Sequence, residues 1–443
     1  MKKLFLILIN VLLFTSVVFS QVDDVHKELL RMALENNYEI QKAELDIANS
    51  EQQVKQVKAY TLPQLSGSID VKNYIELPTV ILPGEMLGAP NDIETQMGRP
   101  NNGDVGISAS YLIPNKALLA DLKTAKESTE LYKLLKIKTE EDVIYQVSYL
   151  YYYYLASWES LKIIEENIKI LEENKRIATN LVISDMALPN DTNRICVKIN
   201  DLYKQVNLIE ASLLEQKNKI RLLIGNENYQ FPEPNTYAEY SHNNQEIELK
   251  DSVTRTEIQI LEKQLEIQNL QIKKSKAAYR PTTSLYASYA YNTQQNDFTD
   301  VFKLDEWNNI SLVGLKMTIP IFSGGRNKAK VQQTKLNYQI AEKNIEQATQ
   351  NFNQERQQAL NKFFTLQENC KIQLDNIEQT NDIYNVSLLK YEEGLLPLTE
   401  LLISTSDLSN AKLSYTKSLL ELFMAELDVL KSNCNLNTLI NKF

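Results

Sequence analysis

The sequence predicts a mainly α fold with a small β part, built by tandem duplication into long helical hairpins and short paired strands. Three observations carry this. The chain of 443 residues holds only 11 Gly and 12 Pro, so long stretches contain nothing that breaks a helix. Two segments 218 positions apart match each other, a proline included. Each copy also passes from a helical period to a period of two and back again.

Composition removes several function classes. A hydrophobic content of 43% with 23% charged residues describes a chain that folds. The net charge of -10 disfavours nucleic acid as a partner. Two His and three Cys (Cys196, Cys370 and Cys434) are too thinly scattered for a zinc cluster or a disulfide framework. No nucleophile–base pair or metal constellation stands out, so the chain does not read as an enzyme and no cofactor is implied. His26 and His242 lack companions of metal-ligand type and are expected to be ordinary surface residues.

The N-terminus carries the three-part layout of a secretory signal peptide over residues 1–20. Lys2 and Lys3 precede an apolar run from Leu4 to Phe14, and Val18-Phe19-Ser20 supplies a plausible cleavage site. The run falls short of the roughly 20 apolar residues of a spanning helix. No Cys lies near the cut, which excludes a lipid-anchored N-terminus. Loss of two lysines leaves 45 basic residues against 57 acids, so the mature chain carries -12. The protein is expected to be exported, and to enter a membrane, if at all, without spanning helices.

The duplication is explicit. Residues 39–66 align without gaps onto residues 257–284, with ten of 28 positions identical: Glu39, Ile40, Gln41, Glu44, Gln53, Lys55, Lys58, Ala59, Pro63 and Ser66. Ile113-Pro114 then corresponds to Ile319-Pro320, and Leu188-Pro189 to Leu396-Pro397. Helical coincidence does not reproduce matched prolines. The expected domains are a first repeat over 21–225, a linker over 226–245, a second repeat over 246–432 and a tail over 433–443. Each repeat holds a helix, a β-hairpin (64–113 or 282–319) and a long helical hairpin.

Within each repeat a helix comes first, about Asp24–Tyr60 and Glu246–Tyr279, and ends before Pro63 or Pro281. Alternation follows. Leu65, Ile69, Val71 and Ile75 are interleaved with polar residues, and so are Val105, Ile107, Ala109 and Tyr111. The second copy offers Leu285, Ala287, Tyr289 and Tyr291, then Val313, Leu315, Met317 and Ile319. These read as strands of about ten residues, apolar on one side. The first copy carries about twelve extra residues between its prolines, in a stretch that reads as loop.

Long helices resume after Pro114 and Pro320. No Gly or Pro occurs between Asn115 and Leu188, or between Arg326 and Glu393, and about 65 helical residues make a rod near 100 Å long. Val143, Val147, Leu150, Tyr154, Trp158, Leu161, Ile164, Ile168 and Leu171 keep a three-four spacing, as in coiled coils. So do Ile345, Ala348, Phe352, Ala359, Phe363, Leu366, Cys370, Leu374 and Ile377. Pro189, and Gly394 with Pro397, turn each rod back into a returning helix, about Asn190–Ile224 and Leu398–Lys431. The aromatic stretch from Tyr149 to Trp158 is expected to fill helix–helix grooves, with hydroxyls reaching water.

Two hairpins with one apolar face cannot close a barrel alone, and open edges are not tolerated in lipid. The strand length suits a tilted bilayer crossing. Three chains of four strands would close a twelve-stranded barrel, and the same threefold operation would arrange the helices as an α-barrel. The alternative is a soluble periplasmic coiled-coil protein, structural or adaptor-like, whose strands form a small cap.

Here the sequence resembles the TolC-like outer-membrane factors of bacterial efflux and type I secretion systems. Two segments are the most specific. One is Ile319-Pro320-Ile321-Phe322-Ser323-Gly324-Gly325-Arg326, leaving the last strand. The other runs from Tyr391 through Gly394, Glu400-Leu401-Leu402 and Leu408 to Asn410-Ala411-Lys412. The resemblance implies a homotrimeric channel-tunnel with its barrel in outer-membrane lipid and a helical tube in the periplasm. It implies a periplasmic adaptor (membrane fusion) protein and an inner-membrane pump of RND or ABC type as partners. Gly394, Leu395, Leu396 and Pro397, with Ala187, Leu188 and Pro189, become adaptor-docking tips. Leu315, Met317 and Ile319 become lipid-facing, with Lys316 and Thr318 toward the lumen.

The resemblance also puts Glu400 at the periplasmic entrance of the pore. The family's second acid is replaced here by Ile403, and Asp407 lies one turn further on. A first tip reading Met186-Ala187-Leu188-Pro189, and a second-strand exit lacking Gly-Gly, depart from the family pattern. Ser323-Gly324-Gly325-Arg326 itself lacks the ending and spacing of a phosphate loop. Its glycines suit a close turn from strand to helix.

Overall fold

The computed structural model describes residues 24–83, 85, 88, 90–184, 188–234, 255–436 and 438–441. The expected signal peptide, residues 235–254 around the linker, His242 and Ala187 lie outside these residues. In chain order the elements are α1 (24–36), α2 (Tyr38–Ala59), β1 (Gln64–Asn73), β2 (Thr79–Leu82), β3 (Ile93–Gln96) and β4 (Asn101–Leu112). Then come α3 (Lys116–Ile183), α4 (Asn190–Leu223), α5 (Thr256–Ala277), β5 (Thr282–Gln295) and β6 (Asn308–Thr318). Last are α6 (Arg326–Glu392), α7 (Leu398–Ser432) and a short α8 (Thr438–Asn441). The matched helices α2 and α5 have the same length, 22 residues each.

The chain divides into two units. One comprises Met1–Asp46, Tyr132–Glu262 and Asn344–Phe443, and its described elements are helices. The other comprises Ile47–Leu131 and Lys263–Lys343, and contains all the strands among the described residues.

The helical unit is held by two apolar clusters. One gathers Leu29, Leu30 and Ala33 of α1 with Val147, Tyr154 and Leu155 of α3, Ile220 of α4 and Leu419 and Phe423 of α7. The other joins Ile164, Ile168 and Leu171 of α3 to Ile195 and Ile199 of α4 and to Tyr391, Leu398 and Leu401. The expected stripe of α3 is the one that packs. On α6 the buried or half-buried line passes through Phe363, Leu366, Cys370 and Ile377, but Leu374 is exposed. A stripe that follows 3.6 residues per turn takes Gln373 at that level instead. In the tyrosine stretch Tyr151 and Tyr154 are buried, while Tyr149 and Tyr153 face out. Tyr152 stacks on Phe423 at 5.0 Å.

The first helix differs from the sequence expectation: it is broken at Asn37. Asn37 Oδ1 accepts the Glu39 N–H at 2.8 Å, capping α2, in the way Asn favours at helix starts. Its Nδ2 donates to the Leu223 carbonyl at 2.8 Å, where α4 ends. Gly225, in the left-handed region at φ 62, approaches the same joint. A Cβ there would fall 2.8 Å from the Asn36 carbonyl oxygen, so only glycine fits.

His26 is a second correction, being buried rather than on the surface, at 6% exposed. Its ring stacks on Tyr151 at 4.9 Å, and its Nε2 lies 2.9 Å from Ser148 Oγ. The position follows from α1 lying apolar side down on α3, which carries residue 26 in with Leu29, Leu30 and Ala33. Desolvation, and secondarily the charge of Lys27, lower the His26 pKa to about 4.

The sheet unit places its strands in the order β1-β4-β5-β6, all antiparallel. The extra residues of the first repeat are more than loop: β2 and β3 pair as a separate two-stranded ribbon. The period-two signal is too short there, at four residues a strand, to stand out in the sequence. Beside the strands, Ser50 of α2 and Thr129 of α3 share a buried hydroxyl–hydroxyl bond of 2.9 Å. Lys263 of α5 pairs with Glu127 of α3 at 2.9 Å.

Neutral His26 is favoured by the fold, and its folded pKa lies below the unfolded value near 6.5. The unfolded chain therefore takes up a proton first as pH falls. The stability this group contributes is complete above about pH 6.5 and is lost progressively toward pH 4. We expect the thermal midpoint to fall over that window, and His26→Gln to flatten this part of the profile. Calorimetry at stepped pH checks both.

Candidate functional site

Two features gather the residues singled out from the sequence. One is the pair of hairpin tips in the helical unit, the other the face of the four-stranded sheet.

At the second tip α6 ends in a glycine cap. Gly394 adopts φ 72, its N–H bonds the Tyr391 carbonyl at 3.0 Å, and the Leu395 N–H reaches the Lys390 carbonyl at 2.9 Å. This satisfies carbonyls that a helix end leaves open. The two leucines then part. Leu395 is 72% exposed, whereas Leu396 packs against the cluster around Leu398 and Leu401. Pro397 starts α7 with extended backbone, and the Glu400 N–H bonds its carbonyl at 3.1 Å.

The first tip is built without glycine among its described residues. Leu188 and Pro189 are exposed. The Asp191 carboxylate accepts the Leu188 N–H at 3.3 Å, while the Asp191 N–H bonds the Leu188 carbonyl at 3.0 Å. The tips share one core, since Ile195 and Ile199 pack in the cluster that holds Tyr391 and Leu398. Burial, and then the charge of Asp191, push the Tyr391 hydroxyl pKa up.

Along α7, Glu400, Ile403 and Asp407 are all exposed. Their spacing of three and four residues puts them in one line on the helix surface. Asp407 thus stands on the same face as Glu400. The opposite face carries Leu401, Ser404, Thr405 and Leu408 into the packing, with the Ser404 and Thr405 hydroxyls both donating to the Leu401 carbonyl. Lys412, part of the sequence signature, pairs with Glu166 of α3 at 2.7 Å.

The sheet is two-faced over β1, β4 and β5 and over the helix end of β6, from Val313 to Met317. Leu65, Ala109, Ala287 and Val313 form one rung, and Tyr111, Leu285 and Leu315 another on the same side. The alternate rungs hold Ser66, Ser108 and Ser288 with Leu312 of β6, then, beyond the rung that ends in Ile310, Asp70, Asp104, Asn292 and Asn308. The apolar side is open: Val313 is 85% and Leu315 59% exposed, and Met317 and Ile319 are exposed as well. Lys316 lies on the polar side by register, opposite Ser284. Exposed aromatics gather at both ends of the strands. Tyr60, Tyr279 and Phe322 stand at the helix end, Tyr291, Phe298 and Phe302 toward the loop end, and Tyr286 and Tyr289 along β5 between them. Single-letter alternation hid these two groups, although their sequence positions flank the strands.

Among the described residues no helix is long and apolar enough to cross a membrane. Among the same residues no group of His, Cys, Asp or Glu side chains is arranged to hold a metal ion.

Comparison with known proteins shows what the fold is similar to. The chain shares its fold with bacterial outer membrane channels. It aligns with the crystal structure of CusC at a TM-score of 0.77 and 18% identity, over 93% of this chain and 92% of that one. It aligns with the Campylobacter jejuni CmeC outer membrane channel at 0.73 and 16%, over 93% and 85%. By sequence it is 23% identical over 349 residues to the cation efflux system protein CusC of Escherichia coli O157:H7, covering 74% of this chain and 68% of that protein. Residues 250–442 match the family model described as Outer membrane efflux protein.

The left-handed backbone at Gly394 costs an L-residue about 1–2 kcal/mol. We expect Gly394→Ala to lower the thermal midpoint, and Leu395→Ser to leave it unchanged. Calorimetry of the purified variants distinguishes the two.

Proposed function

We propose that the protein is an outer-membrane efflux channel that closes as a homotrimer and conducts cargo passively out of the periplasm. The observation that carries this is the four-stranded sheet with an open apolar face and with β1 and β6 as its outer strands. Bare strand edges are not stable in lipid, so β6 of one copy meets β1 of the next, and three copies close a twelve-stranded wall. The separation of the aromatic groups supports the membrane setting. About ten residues at about 3.3 Å each, tilted by about 40°, span ~25 Å, the height of the apolar band of such barrels. Leu315, Met317 and Ile319 then face lipid, and Lys316 and Thr318 the lumen.

In this reading the helical unit lies in the periplasm, where exported chains arrive by a signal peptide such as residues 1–20. The tips at Gly394–Pro397 and at 187–189 meet an adaptor that joins the channel to an inner-membrane pump of the RND or ABC type. The match of residues 250–442 to an outer membrane efflux family supports efflux over protein secretion. Catalysis has no place in such a conduit. Leu395, the outward leucine of the tip, is the better docking contact, while Leu396 supports the turn from within.

The line of Glu400, Ile403 and Asp407 supports an entrance of alternating character. Threefold symmetry sets three copies of each around the axis: two acidic levels separated by an apolar one. Carboxylate rings attract cations and set pore selectivity. The cation efflux named for the CusC relative accords with this preference, but the cargo itself is selected by the pump.

Three measurements test the proposal. Crosslinking in detergent is expected to saturate at three chains; a detergent-free monomer overturns it. Leu315→Lys is expected to impair membrane insertion by about 2–4 kcal/mol, whereas Lys316→Gln inserts normally; equal behaviour argues for a soluble cap. In planar bilayers under a salt gradient, Glu400→Gln is expected to reduce cation preference. Unchanged selectivity in an assembled trimer leaves Glu400 as a helix-start residue, favourably placed by the helix dipole.

A further inference from the structure

The connection between β5 and β6 is a built platform. Its first 3₁₀ turn, Phe298–Phe302, buries Val301 almost completely. Trp307 Nε1 donates to the Val301 carbonyl at 3.1 Å, and Gln295 Nε2 donates to the Glu306 carboxylate. Beneath lies Gly103 of β4. A Cβ at that position would fall 2.9 Å from Val301 Cγ1 and 3.0 Å from Trp307 Cη2. The missing side chain is what lets the platform sit down on the strand.

The register decides which side of the sheet this is. Gly103 pairs with Val71 and Thr293, two positions along from Ile69, Val105 and Tyr291. Period-two alternation puts all of these on the apolar side. The platform therefore folds over the apolar face at its loop end, not over the polar one. From it Phe298 and Phe302 project, ring edge to ring face at 5.7 Å, with Leu304 81% exposed beside them. Lys303 and Asp300 on the same turns are paired with each other at 2.8 Å. One step down the strand, the Tyr289 and Tyr291 hydroxyls meet at 3.0 Å.

We infer that this platform is a lipid-binding foot. Phe298, Phe302 and Leu304 insert at the boundary between headgroups and acyl chains of the outward leaflet, and extend the lipid contact of the barrel wall beyond the strands. The occupant follows from continuity: the three side chains prolong the exposed apolar surface of the sheet, and the one lysine among them, Lys303, is paired to Asp300. Amphipathic Tyr and Trp rings favour that depth. The inference rests on the lipid-facing reading of the sheet and goes beyond it.

The chain has two Trp, and one of them, Trp307, belongs to the platform. In Trp158→Phe protein reconstituted into liposomes, Trp307 emission is expected to be lost to phosphatidylcholine brominated high on its acyl chains. The combined change Phe298→Ser, Phe302→Ser and Leu304→Ser is expected to abolish most of that quenching. A parallel protein with both native tryptophans changed to Phe and Leu315→Trp reports on the wall itself. Quenching at position 315 but not at Trp307 overturns the foot and leaves the barrel standing. Quenching at Trp307 that survives the triple serine change also overturns the foot, since the strands alone then account for it. Quenching at neither position removes both readings.

Discussion

A sheet with one apolar side and two outer edges cannot be completed within one chain, and everything else in this protein accommodates that constraint. The rungs through Leu65, Ala109, Ala287 and Val313 place apolar side chains in register across the boundary between the two repeats. β4 from the first copy and β5 from the second are neighbours in the sheet. Duplication thus doubled the width of the sheet and left β1 and β6 as its outer strands. The backbone groups along β1 and β6 require hydrogen-bond partners wherever water is absent. In the proposed homotrimer, threefold association supplies them without a different partner.

The helical unit solves a different problem, which is to keep long rods in register without a wide core. It does so with local devices along their length. Ser404 and Thr405 fold their hydroxyls back onto the Leu401 carbonyl, keeping α7 slim where it packs, a use of short polar side chains that leaves no donor stranded. Tyr145 reaches Asp428 with its hydroxyl at 2.8 Å, tying α3 to α7 far from the tips. Burial, followed by that bond, pushes the Tyr145 pKa up, so the phenol stays a donor at any ordinary pH.

Much of this was legible in the sequence, and the reasons are physical. Prolines and the scarcity of glycine marked where rods end, because those residues act through the backbone whatever surrounds them. The alternation in β1, β4, β5 and β6 was long enough to read, whereas four-residue β2 and β3 were not. Glu400, Ile403 and Asp407 could be placed on one line by spacing alone. The burial of His26, the break at Asn37 and the inward turn of Leu396 could not, since each is set by a partner far away in the chain. The Leu374 position failed for a subtler reason: a spacing rule of three and four leaves open which of two residues the next turn selects.

The joint at Asn37 carries a consequence for how the chain is assembled. Its amide group bonds the Leu223 carbonyl, a partner 186 residues later, and Gly225 closes against Asn36 from the same direction. The α1 segment likewise rests on Ser148 and Tyr151. A polypeptide delivered N-terminus first therefore presents its earliest helix long before the surfaces that receive it exist. Closing so long a loop is slow compared with local helix growth. Helix α1 is then the latch of the first repeat: made early, and fastened only once the chain as far as Gly225 is available.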